Sequence, residues 1–356
     1  FYNTLTEFSR YWDAVDILTR HVPGVSRFPC FENVTFYPAP HPSKWRFPQF
    51  VAKKGYQLAD KFDYNLLVTH DYGAFLHSVA AVQIGRKVGL PGVSEIHHIE
   101  GYPRSANLRE MVSLLFAQLY LRWAGGRVNG VRLTNDWQLR PLLTRWGVPN
   151  DKLKVLHSLY LDFEVFAPQP SLPRVYDVVW VGRLVANKAP QLALAGVVQA
   201  ARQLGRPIHL ALVGSGPMQA QLLAEIERHA EFVTLTHFTW IDSPSELADV
   251  YRQSRVLLCT SYSEGGPRVV GEALACGTPV ISTRVGLAAE LVQPGVNGEL
   301  IDWQAAELAD KLAALLSDAP RQADYQTAAP KAVAKFEKAA VIKAYAEGLQ
   351  AWAKPR

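Results

Sequence analysis

Two periodicities alternate along most of this chain. Short apolar, β-branched runs at 64–69, 93–96 and 130–134 are separated by stretches at 73–88, 107–123 and 137–146 in which apolar residues recur every three or four positions. The short runs predict buried strands and the longer stretches predict helices, so the first half reads as consecutive βαβ units on a parallel sheet. Within 107–123, Leu108, Val112, Leu115 and Leu119 share one helical face. The pattern restarts further on, with strands predicted at 175–181, 208–213, 256–260 and 279–282 and helices at 189–204, 217–230, 244–253 and 267–276. Near the end, Val341, Tyr345, Leu349 and Trp352 predict a last helix that buries one stripe. The beginning departs from this syntax: a helix-like 2–11 leads into a strand-like 14–19, with no opening strand or Gly-rich turn before it.

Between the two alternating halves, Ala-Pro-Gln-Pro-Ser-Leu-Pro at 167–173 places three prolines in seven residues, the signature of an interdomain linker. The expected layout is therefore a first α/β domain over 1–165, a linker at 166–173, a second α/β domain over 174–335, and a carboxyl-terminal helix at 336–356 returning to the first. At 356 residues, 49% hydrophobic and 19% charged, the chain has the length for two cores, and disorder and low complexity are excluded. Cys30, Cys259 and Cys276 are too few and too scattered for a disulfide scaffold, which points to a reducing, cytoplasmic setting. No apolar run reaches the roughly 18 residues of a spanning helix, and the amino terminus lacks signal-peptide architecture.

The densest chemistry lies at 260–280, Thr-Ser-Tyr-Ser-Glu-Gly-Gly-Pro-Arg-Val-Val-Gly-Glu-Ala-Leu-Ala-Cys-Gly-Thr-Pro-Val. It follows a strand, turns through Gly265 and Gly266, and is expected to open a helix at Pro267, where the missing N–H costs nothing. Amides at that helix start, with the positive end of its dipole behind them, would cradle an anion or hydroxyls, and Glu264 and Glu272 flank the start. An ordinary βα turn with solvated glutamates fits the composition equally well. Upstream, Arg183 and Lys188 follow the first strand of the second domain, at the edge where doubly wound sheets bind ligands. Two cations on one loop suit a diphosphate, although either alone would pass for a solvated side chain. Gly214-Ser-Gly216-Pro lacks the third glycine and the downstream acid of a dinucleotide fingerprint, so NAD is disfavoured.

The combination of Gly-Arg-Leu-Val-x-x-Lys at 182–188, Val-Gly-Ser-Gly-Pro at 213–217, Glu-x7-Glu at 264–272 and Ala-Cys-Gly-Thr-Pro-Val at 275–280 resembles the nucleotide-sugar domain of family 4 retaining glycosyltransferases. That resemblance implies the GT-B fold: two doubly wound Rossmann-like domains facing a central cleft, with the last helix crossing back to the first domain. It further implies that Arg183 and Lys188 neutralise the donor diphosphate, that Glu264 binds sugar hydroxyls and that Glu272 binds the ribose. The backbone at Gly265, Gly266, Pro267, Arg268 and Val269, with Gly214 and Gly216, would line sugar and phosphate, and Trp240 and Ile241 would lie on the base side. The Arg268 side chain is expected to be solvated. In the first domain, Glu95-Ile-His97-His98 ends a strand; the family's usual Thr-x-His there assigns a donor-sugar role to His97, with Glu95 in place of Thr. Adjacent strand residues point oppositely, so His98 should not share that role, and His70, on the same edge, keeps a smaller claim. Two departures from the family stand out: the absent opening strand with its Gly-rich loop, and Leu159-Tyr160 where Asn-Gly is usual near the hinge.

The implied activity is transfer of a hexosyl group, with retention, from a UDP- or GDP-linked sugar to a glycan or lipid-linked acceptor. A catalytically idle nucleotide-sugar-binding protein and a GT-B nucleotide-sugar 2-epimerase are the alternatives. No cofactor, nucleic-acid partner or metal is expected: Asp-x-Asp, His-Glu-x-x-His and paired Cys-x-x-Cys are all absent. The charge refines the partner. There are 37 Lys and Arg against 32 Asp and Glu, a net +5, and residues 1–165 carry 19 against 14 while 166–356 carry 18 against 18. The excess lies in the first half. There, segment 44–54 (Lys44-Trp-Arg-Phe-Pro-Gln-Phe-Val-Ala-Lys-Lys54) mixes cations and aromatics as an element facing an anionic membrane would, while remaining compatible with an ordinary helix start.

Overall fold

A computed structural model describes residues 2–72 and 75–355. Gly73, the expected start of a helix, lies outside the described residues. The chain divides into two compact units: residues 1–97, 112–158 and 339–356 form one, and residues 98–111 and 159–338 the other.

The first unit opens with α1 (Tyr2–Phe8) and β1 (Val15–Thr19), followed by β2 (Phe28–Phe31), β3 (Val34–Pro38) and α2 (Phe47–Lys61). The strand β1 runs parallel to β3, which pairs antiparallel with β2, giving the order β1-β3-β2. Next come β4 (Leu67–His70), α3 (Leu76–Val88), β5 (Gly92–Ile96), α4 (Leu108–Ala124, of which residues 108–111 fall in the second unit), β6 (Gly130–Leu133), α5 (Leu139–Arg145) and β7 (Leu153–Val155). These strands form a parallel sheet in sequence order, β4-β5-β6-β7. Strand β5 is buried along its whole length, which fits its apolar and small residues, with one carboxylate, Glu95, buried among them. In α2, Phe47, Phe50 and Val51 pack against Ile84 of α3, so the aromatic residues of segment 44–54 largely face inward. Lys54 stacks over the Tyr37 ring at 4.5 Å, while Trp45 is exposed.

The second unit contains β8 (Tyr176–Val181), α6 (Pro190–Leu204), β9 (Ile208–Val213), α7 (Gln219–Arg228), β10 (Val233–Phe238), α8 (Pro244–Arg252), β11 (Ser254–Cys259), α9 (Arg268–Ala275), β12 (Val280–Thr283), α10 (Ala288–Leu291), β13 (Gly298–Ile301), α11 (Ala305–Ser317) and α12 (Ala319–Val333). Its six strands are all parallel in the order β10-β9-β8-β11-β12-β13. Counted by appearance this is 3-2-1-4-5-6, the doubly wound order whose direction reverses between β8 and β11. Leu194 and Val197 of α6 and Leu308 and Leu312 of α11 join the sheet residues in one core. Burial of each such side chain contributes about 2 kcal/mol. The Pro-rich 166–173 segment is tied to this unit, because Arg252 donates to Val165 O and, at 2.8 Å, to Ala167 O.

The last helix, α13 (Lys338–Gln350), belongs to the first unit. Leu349 packs with Val93 and Leu156, and a Cβ at Gly348 would collide with Leu156. The predicted stripe is therefore buried, and the chain returns to its first unit as expected.

Candidate donor site at the carboxyl edge of the second sheet

The loops after β8, β9 and β11 meet above the reversal point of the second sheet, and backbone contacts lock them together. Gly182 N donates to Val213 O (2.9 Å) and Leu184 N to Ser215 O (2.9 Å). Gly214 has φ +134°, and a Cβ there would stand 1.9 Å from Gly182 O. The expected glycines at 214 and 216 are thus required first by the close approach of two loops. The loop after β11 is bound to the turn after β8: Tyr262 N donates to Asn187 O (2.8 Å), the Asn187 amide donates to Ser263 O (3.1 Å), and Ser263 Oγ donates to Asn187 Oδ1 (2.9 Å). Beneath them the Thr260 hydroxyl accepts from Trp180 Nε1 and lies 3.0 Å from the Lys188 and Ala189 carbonyl oxygens.

On this frame Lys188 Nζ donates to Glu264 Oε1 in a largely buried ion pair, and Ser261 Oγ donates to the same oxygen at 2.8 Å. Arg183, at the same edge, is exposed. Gly265 O accepts from Leu287 N (2.9 Å), and Gly286, with φ +45°, passes so close that a Cβ would lie 2.3 Å from Gly265 O. The Glu264-Gly-Gly turn is therefore held from below. Helix α9 begins at Arg268, with Pro267 as its N-cap, one residue later than expected, so Pro267 precedes the first helical turn. Glu272 is buried and accepts from Tyr251 Oη (3.1 Å) and Arg268 Nε (3.0 Å). Burial raises its carboxyl pKa, with Arg268 and the Tyr251 hydroxyl pulling the other way. The Arg268 side chain is not simply solvated: besides pairing with Glu272 it stacks over the Tyr160 ring at 4.4 Å. A helical i, i+4 spacing makes that pairing legible in the sequence.

Trp240 is exposed beyond the end of β10, with Nε1 bonded to Asp242 (2.8 Å), and Ile241 follows it. The sequence reading missed Asn187, Ser261 and Ser263, which build the frame, and Arg104, which lies over the Tyr262 and Trp303 rings at 5.2 and 5.6 Å. Only a tertiary partner distinguishes such residues from ordinary loop polarity.

In the first unit His97 lies just beyond β5 and His70 ends β4, both at the carboxyl edge of that sheet. His70 pairs in register with Glu95, and Glu95 and His97 are two residues apart on one strand line, so three side chains converge. His98 is exposed and takes no part in this group.

Two sequence-family models cover nearly all of the chain: "Glycosyltransferase Family 4" matches residues 2–160 and "Glycosyl transferases group 1" matches residues 164–332. The chain belongs to glycosyltransferase family 4, of the GT-B fold. Among similar proteins, D-inositol 3-phosphate glycosyltransferase of Rhodococcus erythropolis is 31% identical over 232 residues, covering 54% of this chain and 52% of that protein. The Rhodococcus opacus protein of the same name is 34% identical over 200 residues, covering 54% of this chain and 42% of its own. This family 4 chain thus spans about half the length of the curated relatives it matches. Its fold is similar to that of sucrose-phosphate synthase from Thermosynechococcus elongatus, with a TM-score of 0.75 at 22% identity over 98% of this chain and 91% of that one. It is also similar to Anabaena HepE in complex with UDP-glucose, with a TM-score of 0.68 at 20% identity over 89% of this chain and 86% of that one. In this family 4 chain the frame described above carries the Glu-x7-Glu motif, and both of its glutamates are held by cations, Lys188 and Arg268.

Proposed function

We propose that the chain transfers a hexosyl group from a UDP- or GDP-linked sugar to a glycan or lipid-linked hydroxyl, with retention of configuration. The observation that carries this reading is the Lys188–Glu264–Ser261 group at the β8/β11 reversal, where a cation and a carboxylate sit on two loops locked by backbone contacts. Lys188 and Arg183 take the diphosphate charge, helped by the amides before α9, Glu264 orients sugar hydroxyls, and Glu272 accepts from the ribose. The bond from the sugar anomeric carbon to the phosphate oxygen breaks as the acceptor oxygen attacks from the same face. The acceptor proton passes to the leaving phosphate oxygen, so no protein base is required. His97 supports the positive charge that develops on the sugar. Product analysis tests the proposal: incubation with UDP- and GDP-hexoses should release the nucleoside diphosphate.

We also place an anionic membrane surface on the acceptor side of this reading. The exposed cations Lys44, Arg46 and Lys53 beside Trp45 support it, as does α4, where Val112, Leu115, Phe116 and Leu119 are 46–56% exposed at i, i+3, i+4 and i+7. The exposed charges of α4 are Arg109 and Arg122, while its acid, Glu110, is buried, a pattern that suits anionic headgroups. Sedimentation with phosphatidylglycerol vesicles should carry the chain down. Leu115→Glu with Phe116→Glu, or replacement of phosphatidylglycerol by phosphatidylcholine, should each release most of it. Equal pelleting in all three cases would remove the membrane reading.

A further inference from the structure

Of His70, Glu95 and His97 only His97 has a role above, and that role leaves the convergence of all three unexplained. Its geometry begins with strand register. His70 and Glu95 are cross-strand partners on β4 and β5, and His97 follows Glu95 by two residues. His70 Nδ1 lies 3.0 Å from His97 Nε2 and 3.2 Å from Glu95 Oε2, and His97 Nε2 lies 3.8 Å from Glu95 Oε2. Three donor atoms therefore form a triangle with edges of 3.0–3.8 Å. A tetrahedral ion with bonds of about 2.0–2.1 Å needs edges of about 3.3 Å.

The carboxylate is the decisive member. Glu95 is fully buried, and its Oε2 has no hydrogen-bond partner, although an ionised carboxylate oxygen out of water ordinarily has one. The other oxygen is fixed: Oε1 accepts from Tyr345 Oη at 2.6 Å and faces Arg132 at 3.7 Å. That anchoring aims Oε2 at the two imidazole nitrogens. The histidines are also positioned from behind, since the His70 carbonyl lies 3.0 Å from His77 Nε2 and the His97 carbonyl accepts from Thr134 Oγ1 at 2.7 Å. The imidazoles are 55% and 39% exposed, so the far side of the triangle is open to a water or an oxyanion as a further ligand.

We propose that His70, Glu95 and His97 bind a zinc-class divalent cation through His70 Nδ1, Glu95 Oε2 and His97 Nε2, leaving an open position toward solvent. Two imidazoles and one carboxylate are a ligand set of borderline softness that suits zinc and cobalt better than magnesium or calcium. One neighbour tempers the affinity. Arg132 Nη1 stands 3.4 Å from His97 Nδ1, where a metal-bound imidazole usually finds an acceptor for its other N–H. Binding should accordingly be about ten- to a hundredfold weaker than at a fully supported site, and reversible by a chelator.

The test needs no sugar substrate. The chain, dialysed against EDTA and then freed of it, is titrated with Co(II) and followed by visible absorption, with Zn(II) added at the end. One equivalent of Co(II) should bind with intense d–d bands that Zn(II) abolishes. Glu95→Gln and His70→Ala should each weaken binding by about tenfold or more, while His98→Ala leaves it unchanged, with circular dichroism establishing that all three variants are folded. Absence of the bands in the unsubstituted chain, binding that survives intact in Glu95→Gln and His70→Ala, or loss in His98→Ala alone would each overturn the assignment.

Discussion

Replacing Lys188 by Ala should lower turnover at saturating donor by about 10²- to 10³-fold, the usual cost of deleting one group that stabilises developing charge. Lys188 ends a tight turn after β8 whose backbone is fixed by Lys188 N to Val185 O (3.0 Å) and by the Thr260 hydroxyl. Its ammonium thus has a defined position, beside Glu264. As the diphosphate leaves, one further negative charge develops on its terminal phosphate oxygen, and a preorganised cation acts on it without reorganisation cost. The same substitution should change stability little, because Glu264 keeps the Ser261 hydroxyl and partial access to water. The two readouts separate the roles: a folded Lys188→Ala protein with nearly unchanged turnover would remove Lys188 from the reaction, whereas a parallel fall in melting temperature would assign the loss to folding.

The largest expected effect on stability is that of Gly214→Ala. The position has φ +134°, a region that side-chain-bearing residues rarely adopt, and the added methyl would meet Gly182 O at 1.9 Å. Neither strand end is free to retreat, since Gly182 N is bonded to Val213 O (2.9 Å) and Gly214 N to Phe238 O (2.8 Å). Backbone strain and overpacking each cost about 1–3 kcal/mol, giving about 3 kcal/mol or more together. For a unit of this size that corresponds to a fall of about 6–12 °C in Tm. Gly205→Ala serves as the control: its φ is +64°, but nothing lies within 4 Å of the added methyl, so the cost should stay near 1 kcal/mol. Equal melting of the two variants would show that the loops after β8 and β9 are not packed as described.

The repeating syntax of strand and helix was the most legible part of this chain. Strand β9 falls on the apolar run at 208–213, and α13 buries the stripe set by Val341, Tyr345 and Leu349. Strands β2, β3, β7, β10 and β13 were not predicted. β2 contains Pro29, which cannot donate to a ladder, and β13 is four residues long and carries Gly298 and Glu299 within a buried strand. The Glu-x7-Glu loop was readable because its spacing is local, and so was the Arg268–Glu272 pair, although the side chain had been expected to stay in water. The convergence of His70 on Glu95 was not readable. It depends on the register of two strands 25 residues apart, and Glu95 taken alone looks like a substitution in a motif rather than a buried ligand. Its support by Tyr345 comes from a residue 250 positions away.

On the proposed function, a sugar nucleotide is bound at the β8/β11 reversal and cleaved there. The direct measurement is phosphorus and proton NMR of UDP- and GDP-hexoses incubated with the chain, with and without simple hydroxyl acceptors. The predicted result is release of UDP or GDP into solution together with a sugar product of unchanged anomeric configuration. A donor that binds but remains intact would contradict the claim in favour of a binding protein, and a donor epimerised at C2 without an acceptor would contradict it in favour of an epimerase.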